Sequence, residues 1–209
     1  MSLTIVVEPH PLLEIGAFVT RMPQPLGAIA WADAGAAPPL TASDQVKTAV
    51  RDLLRHGGYK PSGRSKPASE YLVAAAVDGR FPAINAAVDI CNIVSLHSGL
   101  PISVVDVDKL DLGGPLAIKL APAGTTYVFN PSGQVIDASG LLALHDAQGP
   151  TGTPVKDAQR TKTDETTRAV LSVVWGTSAL PGRTRETVRW YRELVGAIAG
   201  AVVEDVETR

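Results

Sequence analysis

Two polar segments of the sequence contain residue types that bind anions or position substrates. The first is a turn-rich basic connection with Lys60, Arg64 and Lys66, which runs into a helix expected to start near Pro67. Backbone N–H groups are unpaired at a helix N-terminus and the helix dipole is positive there, so phosphate and carboxylate groups are favoured. The connection is therefore a candidate anion site. The alternative is a solvated turn, or Arg64 paired with Glu70 or another acid.

The second segment, residues 155–168, presents charges and hydroxyl groups just before a buried strand. Its candidate binding residues are Asp157, Arg160, Thr161, Lys162 and Thr163. Loop residues held by rigid elements are frequent binding groups. A charged surface loop with an Asp157–Arg160 pair explains the same composition. Both interpretations remain open from the residues alone.

A third group of polar side chains lies on an otherwise apolar helix, expected to begin at Pro82 and to cover residues 82–98. Asn85, Asp89 and Asn92 share one face of this helix at positions i, i+4 and i+7. Buried polar groups need partners, because an unsatisfied one costs about 1–3 kcal/mol. This polar stripe is therefore expected either to tie down neighbouring backbone, the commoner role, or to line a polar site.

The other residue types that often carry chemistry form no recognisable motif. The four histidines (His10, His56, His97 and His145) are scattered over loops and helix ends, with His145 in a long loop. The single cysteine, Cys91, lies in the apolar helix, which is typical of a buried structural thiol. No metal-ligand spacing, P-loop or Gly-x-Ser-x-Gly pattern occurs. We therefore expect no metal and no cofactor, and assign no catalytic residue.

Length and composition limit the class of protein. A chain of 209 residues with 45% hydrophobic residues is expected to form one domain, residues 1–209, with a sizeable core. Aromatic residues, at 5%, are too few for many base-stacking contacts, and a net charge of −2 argues against broad non-specific nucleic-acid binding. No apolar run reaches membrane-spanning length and the start lacks an apolar signal region. We expect a cytoplasmic protein without membrane or DNA partners.

The order of the expected elements along the chain favours an α+β fold. Helices are expected over residues 41–55, 67–78, 82–98 and 184–203. Strands are expected over residues 3–7, 13–21, 102–108, 116–120, 141–144 and 170–175, and a hairpin over 125–129 and 134–137. Loops are expected over residues 22–39 and 145–166. Helices in the N-terminal half, mixed or antiparallel strands after them and a C-terminal helix are typical of this class.

The block of residues 81–110, FPAINAAVDICNIVSLHSGLPISVVDVDKL, contains the pattern N-x-x-V-D-x-x-N-x-V-S-L-x-x-G-L-P followed by a D-x-D strand. This pattern resembles the editing domain of the phenylalanyl-tRNA synthetase beta subunit, which is formed by its fused third and fourth domains. The family includes stand-alone proteins of about this length, described as tRNA-binding-domain proteins. The resemblance extends from about Gly58 to Gly176. It implies a layered α/β sandwich over residues 58–176, followed by a C-terminal helical extension over 177–209.

The resemblance also implies a function. The chain is expected to be a stand-alone editing-like domain that binds tRNA or an aminoacyl-adenosine end and hydrolyses mischarged aminoacyl-tRNA in trans. An arginine comparable to Arg64 lies at the family's pocket, and the segment 155–168 forms one wall of it. The expected substrate-binding residues are Arg64, Lys66, Asp157, Arg160, Thr161, Lys162 and Thr163. The alternative is a non-catalytic module whose pocket captures an amino acid, a nucleotide or another small anion.

Two departures from the family pattern affect this expectation. Arg160, or Lys162 if the alignment is shifted, stands where the synthetase has a glutamate that reads the tyrosine hydroxyl. A cation cannot accept that hydroxyl proton, so the pocket suits a carboxylate, a phosphate or a more polar aminoacyl group. The family's G-x-P-L-H-A-F-D is GLPISVVD here, so Ser103 replaces the histidine associated with editing. Tyrosine editing is therefore not expected, and the resemblance leaves catalysis open.

Overall fold

The computed structural model describes residues 3–31 and 37–209 and has the α+β class that the sequence predicts. The strands are β1 (Thr4–Val7), β2 (Leu13–Arg21), β3 (Ile102–Asp106), β4 (Leu116–Leu120), β5 (Thr126–Val128), β6 (Val135–Asp137), β7 (Leu142–Asp146), β8 (Gly149–Gly152), β9 (Ala169–Thr177), β10 (Val202–Asp205) and β11 (Glu207–Thr208). The helices are α1 (Asp44–Arg55), α2 (Ala68–Val77), α3 (Ala86–Ser98) and α4 (Arg183–Gly196). Short 3-10 turns occupy Leu26–Ala28, Gly63–Ser65, Val107–Lys109 and Gln159–Thr161.

The strands form two main sheets and a small hairpin of β5 and β6. One sheet has the order β11-β1-β4-β7-β8 and is mixed, because β1 runs parallel to β11 and β4 while β7 runs antiparallel to β4 and β8. The other sheet, β10-β2-β9-β3, is antiparallel throughout. Strand β9 is central to this sheet, because β2 and β3 pair with its two edges, and it is buried along its whole length.

One continuous hydrophobic core joins the two sheets and the helices. Ile5 and Leu116 enter it from the mixed sheet, Phe18 and Trp175 from the antiparallel sheet, and Ile90 from α3. Each of these side chains is almost fully buried. Such contiguous burial of apolar side chains stabilises the fold at about 25 cal/mol per Å² of apolar surface removed from water. The layered arrangement follows, since each sheet buries one face against a neighbouring layer.

Helix α3 begins four residues later than the sequence predicts. Asn85 is its N-cap, and the side-chain oxygen of Asn85 accepts a hydrogen bond from the backbone N–H of Val88. Asp89 reaches back and accepts from the N–H of Ile84. Because these two side chains satisfy the first turn, the helix starts at residue 86, and Pro82 precedes it.

The C-terminal residues also differ from the expectation of a helix over 184–203. Helix α4 ends at Gly196, and the chain turns at Gly200 with a φ of 83° before entering β10 and β11. Strand β10 pairs with β2 and β11 pairs with β1, so the last residues add an edge strand to each main sheet. The predicted helix was wrong beyond Gly196, because the spacing of Ile198 and Val202 fits a helix although β-branched residues equally suit a strand.

The predicted loop over residues 145–166 contains regular structure. Strand β7 continues to Asp146, and Gly149 allows a tight turn with a φ of 120° into β8. Lys162 forms an isolated bridge with Val105 of β3, which fastens the end of the segment to the antiparallel sheet. For the predicted loop 22–39, residues 32–36 lie outside the described part. None of the described helices combines the length and apolar character needed to span a lipid bilayer.

Candidate ligand-binding site

A cavity of about 560 Å³ lies where α2, α3, β3 and residues 153–163 meet, and we call it the α2–α3 cavity. Its walls are formed by Arg64, Ala68, Tyr71, Leu72, Ile84, Val88, Cys91, Asn92, Ile102, Val104, Phe129, Thr153, Val155, Lys156, Asp157, Lys162 and Thr163. The contributing residues of α2 and of α3 are spaced at i, i+3 and i+4, so each helix presents a single face. Those of β3 are two residues apart and share one side of the strand.

Most of the lining is apolar, and the charged groups are few. Val88, Ile102, Val104 and Val155 form much of the wall, and all four are β-branched residues with restricted side-chain rotamers. A rigid apolar wall of this kind suits a hydrophobic ligand group. Cavities of 300–1,000 Å³ with a predominantly apolar lining are typical of small-molecule sites.

Three cations line the same cavity. The ammonium groups of Lys162 and Lys156 lie 4.0 and 4.5 Å from the ring centroid of Phe129, and Lys162 Nζ also donates a hydrogen bond of 2.7 Å to the Phe129 carbonyl oxygen. Such cation–π contacts contribute about 0.5–2 kcal/mol each. Burial lowers the pKa of Lys162. The third cation, Arg64, is exposed and forms no salt bridge with a described acid.

One carboxyl group, that of Asp157, faces these cations. Its two oxygens accept hydrogen bonds of 3.2 Å from the backbone N–H groups of Val104 and Thr153. Burial raises the pKa of Asp157 to about 6, although these hydrogen bonds and the charge of Lys162 oppose the rise. The carboxyl group is therefore mostly ionised at neutral pH and titrates just below it.

The polar stripe of α3 divides between the two roles that the sequence allows. Asn85 and Asp89 tie down backbone at the helix start, and Asn85 also donates a 3.4 Å hydrogen bond to the hydroxyl of Thr163. Asn92 instead lines the α2–α3 cavity, and its amide has no hydrogen-bond partner among the described residues. Asn92 and Thr163 thus offer polar groups to a ligand.

The structure does not bring Arg160 into the cavity. Its guanidinium donates to both carboxylate oxygens of Asp146, at 2.7 and 2.6 Å, and to the carbonyl oxygen of Gly149 at 3.0 Å. The expected Asp157–Arg160 pair is therefore not formed. Arg160 fastens the turn between β7 and β8, and of the two cations considered for the family's glutamate position, Lys162 lines the cavity.

Two other expected binding residues also lie elsewhere. The hydroxyl of Thr161 is buried and donates to the carbonyl oxygens of Thr151 and Ala158, so it serves the segment's own backbone. Lys66 lines a separate cavity beside α1. Four of the seven expected residues therefore line the α2–α3 cavity: Arg64, Asp157, Lys162 and Thr163.

Ser103, which the resemblance places at the position of the family's histidine, is fully buried behind the cavity wall. Its hydroxyl donates to the Thr153 carbonyl oxygen at 3.1 Å and accepts from the indole N–H of Trp175 at 2.9 Å. The position is a hydrogen-bonded part of the core. His145 lies on β7, outside the cavity lining, and burial with a smaller contribution from Lys119 lowers its pKa to about 4.

Lys156, Tyr71 and Phe129 were not predicted from the sequence. Lys156 carried the same signal as its neighbours, a cation inside the segment 155–168. Phe129 follows β5 and lies 33 residues before Lys162 in the sequence. The ammonium group of Lys162 contacts both the ring and the carbonyl oxygen of Phe129. No local pattern indicates that approach, because it depends on how the β5–β6 hairpin packs.

The comparisons with known proteins agree with this fold. The model of the B3/4 domain family matches residues 62–189, which is more than half of the chain, and the chain belongs to this family. Its fold is similar to the crystal structure of an N-terminal fragment of the phenylalanyl-tRNA synthetase beta subunit from Pyrococcus horikoshii, with a TM-score of 0.55 at 11% identity.

That structural match covers 99% of this chain and 52% of the fragment, so the chain spans about half of the fragment's length. Identity at this level shows a shared fold. No curated protein matches the sequence.

Proposed function

We propose that this B3/4 protein is a stand-alone editing-like domain that binds the aminoacylated end of a tRNA, or an aminoacyl-adenosine, in the α2–α3 cavity. The observation that supports the proposal is the meeting of a rigid apolar wall with Arg64, Lys156 and Lys162 in one cavity. The aminoacyl side chain packs against the apolar wall. The cations pair with phosphate groups of the nucleotide end.

The polar groups of the cavity fit the remaining parts of such a ligand. The amide of Asn92 and the hydroxyl of Thr163 hydrogen-bond to the ribose or to the α-amino group. The chain carries a net charge of −2, so the attraction of a polyanion is local to this cavity and its surroundings. The carboxylate in the described lining, that of Asp157, already accepts two backbone hydrogen bonds, which favours an aminoacyl group without the tyrosine hydroxyl.

The position of Asp157 in the cavity lining supports hydrolysis in trans as part of this proposal. The oxygen of a water molecule adds to the ester carbonyl carbon, and the bond from that carbon to the ribose oxygen then breaks. Asp157 takes the proton from the water and returns it to the departing ribose hydroxyl, a role suited to a carboxyl group with a pKa of about 6. Cys91 is not the nucleophile, because burial raises the pKa of its thiol far above neutrality.

Binding is tested with amide-linked aminoacyl-adenosine analogues, which resist hydrolysis. Lys162→Met is expected to weaken binding about tenfold, since a hydrogen bond to a charged group contributes about 1.5–3 kcal/mol. Lys60→Met is the matched control, because Lys60 is an exposed cation that lines neither this cavity nor the one beside α1. Equal affinities of the two variants for every analogue would remove the site assignment.

A non-catalytic module that captures an amino acid or a nucleotide is the second candidate. It is favoured by the hydrogen bonds that Val104 and Thr153 already make to both oxygens of Asp157, and by the absence of histidine from the described cavity lining. A panel of mischarged tRNAs separates the candidates. Deacylation of one of them supports hydrolysis, whereas tight binding of an analogue without any deacylation supports the module.

A further inference from the structure

A second cavity, of about 500 Å³, lies between the N-terminal turns of α1 and α2, and we call it the α1–α2 cavity. Its walls are formed by Ala42, Ser43, Asp44, Lys47, Val50, Lys66, Pro67, Ser69, Glu70, Val73, Ala74 and Gly99. Helix α2 turns Ser69, Glu70, Val73 and Ala74 towards it, and these residues occupy the face opposite to the one that lines the α2–α3 cavity. The two cavities are therefore separate sites divided by one helix.

Ser69 is the residue that points to a ligand. It is 3% exposed, yet within the described part of the chain neither its hydroxyl nor its backbone N–H has a hydrogen-bond partner. Its neighbours are satisfied, since the N–H of Ala68 donates to Pro154 and that of Glu70 to Pro67. The N-cap position is Pro67, which has no side-chain acceptor. The hydroxyl and the backbone N–H of Ser69 are therefore both available to donate hydrogen bonds to a bound acceptor.

The charges around the α1–α2 cavity favour an anion. Lys47 and Lys66 line it, and neither forms a salt bridge with a described acid. Glu70 also lines it, but Arg51 binds both of its oxygens at 2.6 and 2.7 Å. Asp44 is the remaining carboxylate, and it is exposed at the start of α1. Among the described residues, the two lysines without a salt bridge therefore outweigh the one carboxylate without one.

The N-terminal turns of two helices add to this potential. Helix α1 has 12 residues and α2 has 10, and residues of the first turn of each helix line the cavity, so the positive ends of both dipoles lie beside it. In α1 the side chain of Ser43 accepts from the N–H of Val46, so that turn is already capped. In α2 the first turn has no side-chain cap, which leaves it as the end that binds an acceptor.

We infer that the α1–α2 cavity binds a small oxyanion, a phosphate or carboxylate group, at the uncapped end of α2. The anion accepts hydrogen bonds from the hydroxyl and the backbone N–H of Ser69, while Lys47 and Lys66 balance its charge. Val50, Val73 and Ala74 line the rest of the cavity, so the group belongs to a small organic acid with a short apolar body. This site is independent of the function proposed for the α2–α3 cavity.

The test follows backbone amide chemical shifts of the ¹⁵N-labelled full chain during separate titrations with inorganic phosphate and with acetate. Ionic strength is held constant, and sodium chloride serves as the reference. The amide of Ser69 is expected to shift and to saturate with at least one of the two anions. Ser69→Ala and Lys66→Met are each expected to weaken that binding about tenfold, because each removes a hydrogen bond or charge on the anion.

A matched control isolates the site. Lys60→Met removes a cation from the same connection that lines neither cavity, and this variant is expected to bind the anion as the wild type does. Ser69→Ala removes a hydroxyl without a partner among the described residues, so its thermal midpoint is expected to stay at or above that of the wild type. Shifts that match the chloride reference, or equal affinities of Ser69→Ala and the wild type, would overturn the inference.

Discussion

The guanidinium of Arg160 holds the carboxylate of Asp146 through two hydrogen bonds of 2.7 and 2.6 Å. Burial alone would raise the pKa of Asp146, but the hydrogen bonds from Arg160 and from the N–H groups of Asp111 and Gln148 lower it. The side chain of Asp146 is fully buried, whereas that of Arg160 is about one-third exposed. Arg160, which the sequence analysis expected at a ligand site, therefore stabilises the turn between β7 and β8.

Arg160→Met is expected to destabilise the fold strongly. Removal of one partner of a buried ion pair leaves an uncompensated charge and typically costs about 3–5 kcal/mol. Urea unfolding at neutral pH measures this loss in the free energy of unfolding. The matched control is Arg55→Met, which breaks the exposed 2.7 Å pair with Asp52 and is expected to cost about 1 kcal/mol or less. Similar losses in the two variants would show that the Asp146 pair has no structural role.

Much of the scaffold could be predicted because its signals are local. Strand β2 runs over the predicted residues 13–21, and the hairpin of β5 and β6 forms around the Asn130–Gly133 turn. The side chain of Ser43 caps α1, within the predicted helix 41–55, by accepting from the N–H of Val46. Turn residues, caps and apolar periodicity act over a few residues, so the sequence displays them directly.

The parts that could not be predicted depend on contacts distant in sequence. Arg160 finds Asp146 only because β7 extends two residues into the predicted loop, and Lys162 finds Phe129 only because the hairpin packs beside it. The local sequence around a lysine or arginine in a polar segment does not show whether that side chain pairs with an acid of the fold or lines a cavity. The segment 155–168 contributes residues to the lining of the α2–α3 cavity, but only the tertiary structure distinguishes Lys162, which lines it, from Arg160, which does not.

His145→Leu is expected to change the pH dependence of stability. The pKa of His145 is about 4 in the folded chain and about 6.5 when unfolded, so the unfolded state binds more protons between these values. Stability from this group is fully present above about pH 6.5 and is lost as the pH falls towards 4. Urea unfolding between about pH 4.5 and 6 measures how the free energy of unfolding changes with pH. This slope should be lower in His145→Leu than in the wild type by about 1.4 kcal/mol per pH unit.

Over the same pH range, Asp157 changes the free energy of unfolding in the opposite direction to His145. The two proteins must therefore be compared by the slopes of their free energy of unfolding against pH. Its folded pKa is raised to about 6, so its contribution is present below about pH 4 and is lost as the pH rises through 6. The two groups partly cancel in the wild type, which is expected to show a shallow dependence. Identical slopes for the wild type and His145→Leu would mean that His145 titrates as an ordinary exposed histidine.

Deacylation, in the proposed function, is expected to depend on the ionised form of Asp157. A general base is active when deprotonated, so the single-turnover rate should rise as the pH increases through about 6 and level off above it. Asp157→Asn should lower the rate by about 10²-fold or more while the affinity for an amide-linked analogue changes much less. A rate that is independent of pH between 5 and 8 would contradict this role.

Ser103→His, which restores the family's residue, is expected to destabilise the protein without creating activity. Ser103 is fully buried, and a Cβ placed on Gly152 would lie only 2.9 Å from the Cβ of Ser103, so the surroundings leave no room for an imidazole. Overpacking of a close-packed core typically costs about 1–3 kcal/mol, and occasionally more. Thermal and urea unfolding measure the loss, and the mischarged-tRNA panel measures any gain in deacylation.

Ser103→Ala separates the loss of hydrogen bonds from the effect of volume. It leaves the indole N–H of Trp175 and the carbonyl oxygen of Thr153 without their partner, at an expected cost of about 1–3 kcal/mol. A stable Ser103→His variant with new deacylation would mean that the imidazole reaches the α2–α3 cavity past the wall formed by residues 153–157. Because the hydroxyl joins Trp175 of β9 to Thr153 at the edge of that wall, we expect instead that both substitutions loosen the wall and weaken ligand binding together with stability.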